Sequence, residues 1–146
     1  MKPKTKETTD YLKQPQRLEV MIRNKLVEQQ QLRDIAFSIT ANSDGERVQS
    51  SGSQQKMANA VDRWVDMETE INGLIDRLVD TKKEVIATIE RLSTAEYDVL
   101  HKLYIQGMTF DEVAAAKDRS KSWATTIHGR ALVNVQRIRE EQNSPL

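Results

Sequence analysis

The sequence predicts an all-α fold, a long antiparallel coiled-coil helical hairpin followed by a C-terminal three-helix helix-turn-helix domain. Three observations predict it. Glycine and proline are scarce, 5 and 3 among 146 residues, so little of the chain is marked for turns. Apolar residues recur at three- and four-residue steps over two long stretches, the spacing of one helix face. Beyond residue 92 the pattern breaks into short apolar-faced segments, each preceded by a residue that can cap a helix.

The elements follow in order. Residues 1–13 are polar and lysine-rich and are expected as a flexible tail; Met1 to Asp10 has no apolar core, so it is not a secretory signal. A helix is expected from near Pro15, since proline is tolerated in a first turn. Its face carries Leu18, Ile22, Leu26, Leu32, Ala36 and Ile39, with Met21 and Ile35 alongside. Gln29, Gln30 and Gln31 interrupt that seam, and polar residues in a seam weaken it while fixing its register. Residues 40–55 hold Gly45, Gly52 and four serines, which reads as a flexible loop, long for a connection between helices. From Gln55 to Leu92 runs the longest pattern. Trp64, Met67, Ile71, Leu74 and Leu78 form a heptad seam, which resumes at Val85, Ile89 and Leu92. At about 1.5 Å per residue this helix would extend on the order of 55 Å. A second stripe lies beside the first, with Val65, Ile75, Val79 and Ile86. The first helix is too short to cover both, so the hairpin of residues 14–92 is expected to self-associate as a homodimer or higher oligomer. The competing arrangement is a monomeric hairpin packed on its own C-terminal domain. The expected seam residues are Trp64, Met67, Ile71, Leu74, Ile75, Leu78 and Val79.

The helix-turn-helix is expected over residues 93–140, with 141–146 as a tail. Ser93-Thr94-Ala95-Glu96 reads as a capping box, in which hydroxyl and carboxylate satisfy each other's helix-end amides. Tyr97, Leu100, Leu103 and Tyr104 then share one face, and Gly107 ends the helix in a left-handed conformation. Thr109 can cap a second short helix bearing Phe110, Val113, Ala114 and Ala116. Asp118-Arg119 make a tight turn in which Asp118 takes the left-handed conformation. Ser120 caps the last helix, whose buried side is Ala124, Ile127, Ala131, Leu132, Val135 and Ile138. Gly129 inside that helix costs about 1 kcal/mol relative to alanine, which points to a close approach by another helix or backbone.

The formal net charge is zero, from 22 basic and 22 acidic residues, which excludes a uniformly basic histone-like protein and an acidic disordered chain. The average conceals segregation. Within residues 117–139, Lys117, Arg119, Lys121, Arg130, Arg137 and Arg139 face Asp118 alone. A basic stripe on a neutral protein is a candidate phosphate-facing surface. A helix fits the DNA major groove. The first exposed residues of the last helix, Lys121, Ser122, Thr125 and Thr126, are therefore the candidate base readers, and Arg119, Arg130 and Arg137 the candidate phosphate contacts.

Other chemistry is thin. There is no cysteine, hence no disulfide, thiolate metal site or cysteine nucleophile, which fits a reducing cytoplasm. No apolar run reaches the roughly 20 residues of a membrane helix. His101 and His128 have no metal-ligand spacing and read as surface or packing residues. Asp62, Asp66 and Glu70 read as a solvated face that pairs with bases of the first helix. No enzyme motif, cofactor or metal site is expected. Trp123 is expected to pack rather than to contact a partner.

Leu100, Tyr104, Gly107, Thr109, Phe110, Glu112, Val113, Ala114, Ser120, Arg130, Ala131 and Leu132 stand where region four of bacterial sigma factors has its pattern. Gln31-Leu32-Arg33-Asp34, the helix from Glu70 to Val85 and the ending Ile127 to Leu132 narrow the likeness. Over roughly residues 11–138 the chain resembles the RinA/ArpU-type late-gene transcription regulators of Gram-positive phages. The sequence departs from that pattern with Asp118 in place of glycine, Lys117 in place of a hydrophobic residue, and Trp123 in place of a small or polar one. The resemblance implies a non-enzymatic, sequence-specific regulator of phage late genes, acting on double-stranded DNA in the bacterial cytoplasm. Its hairpin would serve dimerisation or contact with host RNA polymerase. Two other readings stand beside it. One is a small terminase-like packaging component, although such proteins carry the DNA-binding domain first. The other is a phage-encoded interaction or inhibitor protein without DNA specificity.

Overall fold

The computed structural model describes residues 3–44 and 51–144. It is all-helical, with no strand among the described residues. The helices are α1 (Pro3–Asp44), α2 (Ser51–Ile89), α3 (Thr94–Leu100), continued by a π-helical turn His101–Ile105, α4 (Phe110–Ala116) and α5 (Lys121–Asn143). The chain divides into a larger unit, Met1–Arg17 with Leu78–Leu146, and a smaller unit, Leu18–Arg77.

The larger unit is built around an apolar core from Leu12, Val85, Ile89, Val99, Leu100, Val113, Ala124 and Val135. Its most unexpected members come from residues 1–13. In place of a tail, α1 starts at Pro3, and Thr8, Tyr11 and Leu12 are buried. The Tyr11 hydroxyl shares a hydrogen bond with Thr88 Oγ1 at 2.8 Å, and the Arg139 guanidinium lies 3.9 Å above the Tyr11 ring. Threonines occupy positions where apolar residues would have marked the face, and Thr9 returns its hydroxyl to the Thr5 carbonyl at 2.8 Å. Pro15, expected in a first turn, is instead internal to α1, with its ring buried. Ring burial offsets the hydrogen bond its missing N–H cannot donate.

Capping sets the ends of the short helices. Ser93 Oγ accepts the Glu96 amide at 3.4 Å, so α3 begins where expected, but the box is not reciprocal. Glu96 is buried, and both carboxylate oxygens accept Asn134 Nδ2 at 2.9 Å. A buried carboxylate needs a donor, and an α5 amide provides one deeper in the core than the helix-end amide could. The full box forms at Thr109 and Glu112, each side chain bonding the other's amide. The π-helical turn carries a five-residue hydrogen bond from the Gln106 amide to the His101 carbonyl. The Leu103 carbonyl in that turn accepts Gln16 Nε2 at 2.8 Å. Gly107 ends the segment at φ +75, as expected.

In the smaller unit, Leu18 and Ile22 of α1 and Ala60, Met67, Ile71 and Leu74 of α2 are buried. Lys25 pairs with Glu70 at 3.2 Å, and Gln29 Nε2 donates to Glu68 Oε2 at 2.7 Å. Moving up α1 from Lys25 to Gln29 moves the partner down α2, so these two segments run in opposite directions. Gln29 is the one interrupting glutamine that is buried, and its bond fixes a register that sliding apolar residues would not.

The structure corrects several expectations here. The loop expected over 40–55 is narrower, since α1 reaches Asp44 and α2 starts at Ser51; residues 45–50, including Gly45, lie outside the described residues, as does the Ile39 side chain. The expected tail begins later than residue 141, since α5 continues through Asn143; Pro145 and Leu146 lie outside the described residues. In the first stripe of the seam Met67, Ile71 and Leu74 are buried and Leu78 half-buried, but Trp64 is exposed; Ile75 and Val79, of the second stripe, are exposed, and that stripe was expected to lie beyond the reach of α1. On α1, Leu26, Met21 and Ile35 are exposed as well.

Candidate nucleic-acid interface

α4, the turn after it and α5 position the candidate residues. Ala114 is buried where α4 packs on α5. α4 ends in a Schellman motif, with the Asp118 amide on the Ala115 carbonyl at 3.2 Å and the Arg119 amide on the Ala114 carbonyl at 2.9 Å. Asp118 sits at φ 53, the left-handed conformation expected of it. A non-glycine residue there is strained by about 1 kcal/mol. Asp118→Gly relieves that strain but adds conformational freedom to the unfolded chain, so a net stabilisation of at most about 0.5 kcal/mol is expected, checked by denaturant unfolding.

Lys117 ties the end of α4 to α3. Its Nζ lies 2.5 Å from Asp98 Oδ2, while Lys102 Nζ donates to Asp98 Oδ1 at 2.6 Å. Lys102 first and Lys117 second hold the Asp98 carboxyl below its usual range. Ser120 Oγ accepts the Trp123 amide at 3.0 Å and so starts α5.

α5 buries Ala124, Ile127, Ala131, Leu132, Val135 and Ile138, the six residues its periodicity marked. Helical geometry then turns Ser122, Thr125, Thr126, Gly129 and Val133 to the opposite side, and all are exposed. Lys121 is exposed beside them, its Nζ 3.8 Å from Asp111 Oδ1, a loose pair between two solvated groups. The Thr125 hydroxyl donates to the Ser122 carbonyl at 3.0 Å, so its own donor is used and its acceptor lone pairs remain. Arg119 lies 5.5 Å from the Trp123 ring centroid, and Trp123 is half-buried against the core, as expected of a packing residue.

The basic stripe of the sequence is not one surface. Arg119, Lys121 and Arg130 are exposed on the turn and the first half of α5, whereas Lys117 is paired with Asp98 and Arg139 covers Tyr11. Arg137 is exposed but donates to Asn134 Oδ1 at 2.5 Å. It also lies about 24 Å along the helix from Lys121. Asn134 thus joins Arg137 to the buried Glu96, a chain that a sequence pattern does not display.

Gly129 also corrects its expectation. A side-chain carbon placed there would meet nothing within 4 Å, so no helix or backbone among the described residues approaches it.

His128 is a packing residue, as expected. Tyr104 OH and His128 Nε2 share a hydrogen bond at 2.7 Å, the two rings stack at 5.8 Å, and Phe110 meets the imidazole edge-on at 5.1 Å. Burial, with Lys13 adding to it, pushes the His128 imidazole below its ordinary value near 6.5. The unfolded chain therefore takes up this proton first as pH falls. The stability from neutral His128 is complete above about pH 6.5 and is lost as pH drops below it. Melting temperatures on either side of that value should show the loss, and His128→Asn should reduce it. His101 bonds Gln106 at 2.9 Å and tilts against Tyr97. Among the described residues no cluster of histidines and acids has the geometry to hold a metal. Glu70 pairs with Lys25 of the first helix, as its place on the expected acidic row implied, and also with Arg63 of its own helix.

No family model matches the chain, and no curated protein or solved structure is similar to it. No helix among the described residues is long and apolar enough to cross a membrane.

Proposed function

We propose that the protein is a phage-type, sequence-specific transcription regulator of late genes, acting without catalysis on double-stranded DNA in the bacterial cytoplasm. In this reading α3, α4 and α5 form a sigma-like helix-turn-helix, and α5 enters the major groove. The observation that carries it is the start of α5. A Schellman turn and a serine cap leave Lys121, Ser122, Thr125 and Thr126 exposed together, with Arg119 and Arg130 beside them. Small hydrogen-bonding groups flanked by cations are what base edges between phosphates require. The antiparallel α1–α2 pair of residues 18–77 is the coiled-coil hairpin of this reading, and its exposed apolar residues make it a module for binding another protein, a second copy or host RNA polymerase.

The test is binding of the full chain to DNA upstream of phage late genes across a salt series. Preference over scrambled DNA is expected, with affinity falling as salt rises in proportion to two or three neutralised phosphates. Equal affinity for both DNAs at every salt concentration would reject the reading.

A further inference from the structure

The two flanks of the α1–α2 pair in residues 18–77 differ. On one, Lys25 of α1 pairs across the seam with Glu70 of α2 at 3.2 Å, Arg63 of α2 joins Glu70 at 3.1 Å, and the groove left beside Ile35, Arg63 and Met67 is the smaller one, about 240 Å³. On the other, about 120° around each helix, the seam opens into a groove of about 310 Å³. Leu32, Ala36, Phe37, Met57, Val61 and Trp64 line it. Phe37 is 61% exposed, Val61 49% and Trp64 37%, a large aromatic and aliphatic surface left in water. The flank continues along both helices. Leu26 stands three turns before Phe37 and Ile75 three turns after Trp64, and both are exposed.

We propose that this flank is a homodimer interface, on which a second copy of the chain packs its own α1–α2 pair to form a four-helix bundle. Two features favour a second copy over a foreign partner. The first is size. The exposed parts of Leu26, Phe37, Val61, Trp64, Val65 and Ile75 amount to on the order of 500 Å² of apolar surface per copy. A standard stable interface takes about 800 Å² from each partner, roughly 60% of it apolar, so the patch matches one half of such a dimer. The second is charge. A self-complementary face meets its own copy, so an unbalanced charge on it repels itself. Here Glu68 is already bonded to Gln29, and Arg33 lies 5.4 Å from the Phe37 ring centroid within the same chain. One acid and one base leave the flank without net charge.

This inference specifies the protein-binding half of the proposed function and is independent of the DNA-binding half. Light scattering on the full chain should give twice its 16.7 kDa mass. Phe37→Glu and Val61→Glu alter side chains that are exposed in the single chain, so each should keep its helical circular dichroism while raising the dimer dissociation constant on the order of 100-fold. Ile35→Glu, on the other flank of α1, should leave the mass unchanged. A monomeric wild-type chain, a ring larger than a dimer, or dissociation by Ile35→Glu and not by Phe37→Glu would each overturn the proposal. A monomer that still prefers its DNA would overturn the dimer alone, and a dimer indifferent to DNA sequence would overturn the regulator alone.

Discussion

Leu12→Ala is expected to destabilise the larger unit by about 2–5 kcal/mol, the range for a fully buried leucine whose cavity cannot collapse. Leu12 has no exposed surface and belongs to the same core as Val85, Leu100, Val113 and Val135, on helices far from it in sequence. The cavity would open among side chains held by several helices, which cannot all relax towards it. Had residues 1–13 been a tail, the substitution would change stability by less than about 0.5 kcal/mol. Equilibrium unfolding in urea separates the outcomes. The midpoint should fall with an unchanged slope, because the same surface is exposed on unfolding.

Thr125→Ala and Arg130→Ala are expected to separate sequence reading from positioning. Thr125 is exposed near the start of α5, with its acceptor lone pairs remaining. Its loss should cost about 1–3 kcal/mol on the preferred DNA and relax selection at one base pair. Arg130 is exposed about one and a half turns further on, and in the proposed reading it contacts backbone phosphate. Arg130→Ala should weaken binding to all sequences alike and reduce the salt slope by about one. Neither side chain is in the apolar core, so melting temperatures should be nearly unchanged. A base-specific loss for Arg130→Ala with a uniform loss for Thr125→Ala would mean that the two roles are exchanged.

Local signals made the ends of the short helices legible. Thr109 and Ser120 cap because their hydroxyls sit three residues before an amide that needs an acceptor, and Asp118 turns left-handed where two amides return to the last carbonyls of α4. The buried side of α5 was equally plain, since six small and aliphatic residues repeat at helical spacing. What stayed hidden was non-local. Thr8 and Thr9 blurred a face that runs on through Tyr11, Leu12 and Pro15 to Leu18, and only the fold supplies the Thr88 hydroxyl that Tyr11 meets. Glu96 had two chemically equivalent destinations, and the geometry of α5, not the capping pattern, selects Asn134. At the candidate interface, periodicity identified exposed positions. It did not reveal that Lys117 and Arg139 of the basic stretch are engaged elsewhere.

The bond between Gln16 and the Leu103 carbonyl joins residues 87 positions apart, and Tyr11 meets Thr88 across 77. A ribosome adding about 5–20 residues per second delivers the first partner of each pair several seconds before the second. Leu12 must wait longer still, because Val135 of the same core is among the later residues made. The helices of residues 18–77 have both halves of their buried seam in hand well before that. Translation thus orders assembly, with the smaller unit able to pair while the larger one is incomplete. Nascent chains that stall before α5 would carry the exposed apolar flank of the α1–α2 pair while the core of the larger unit is still unfinished.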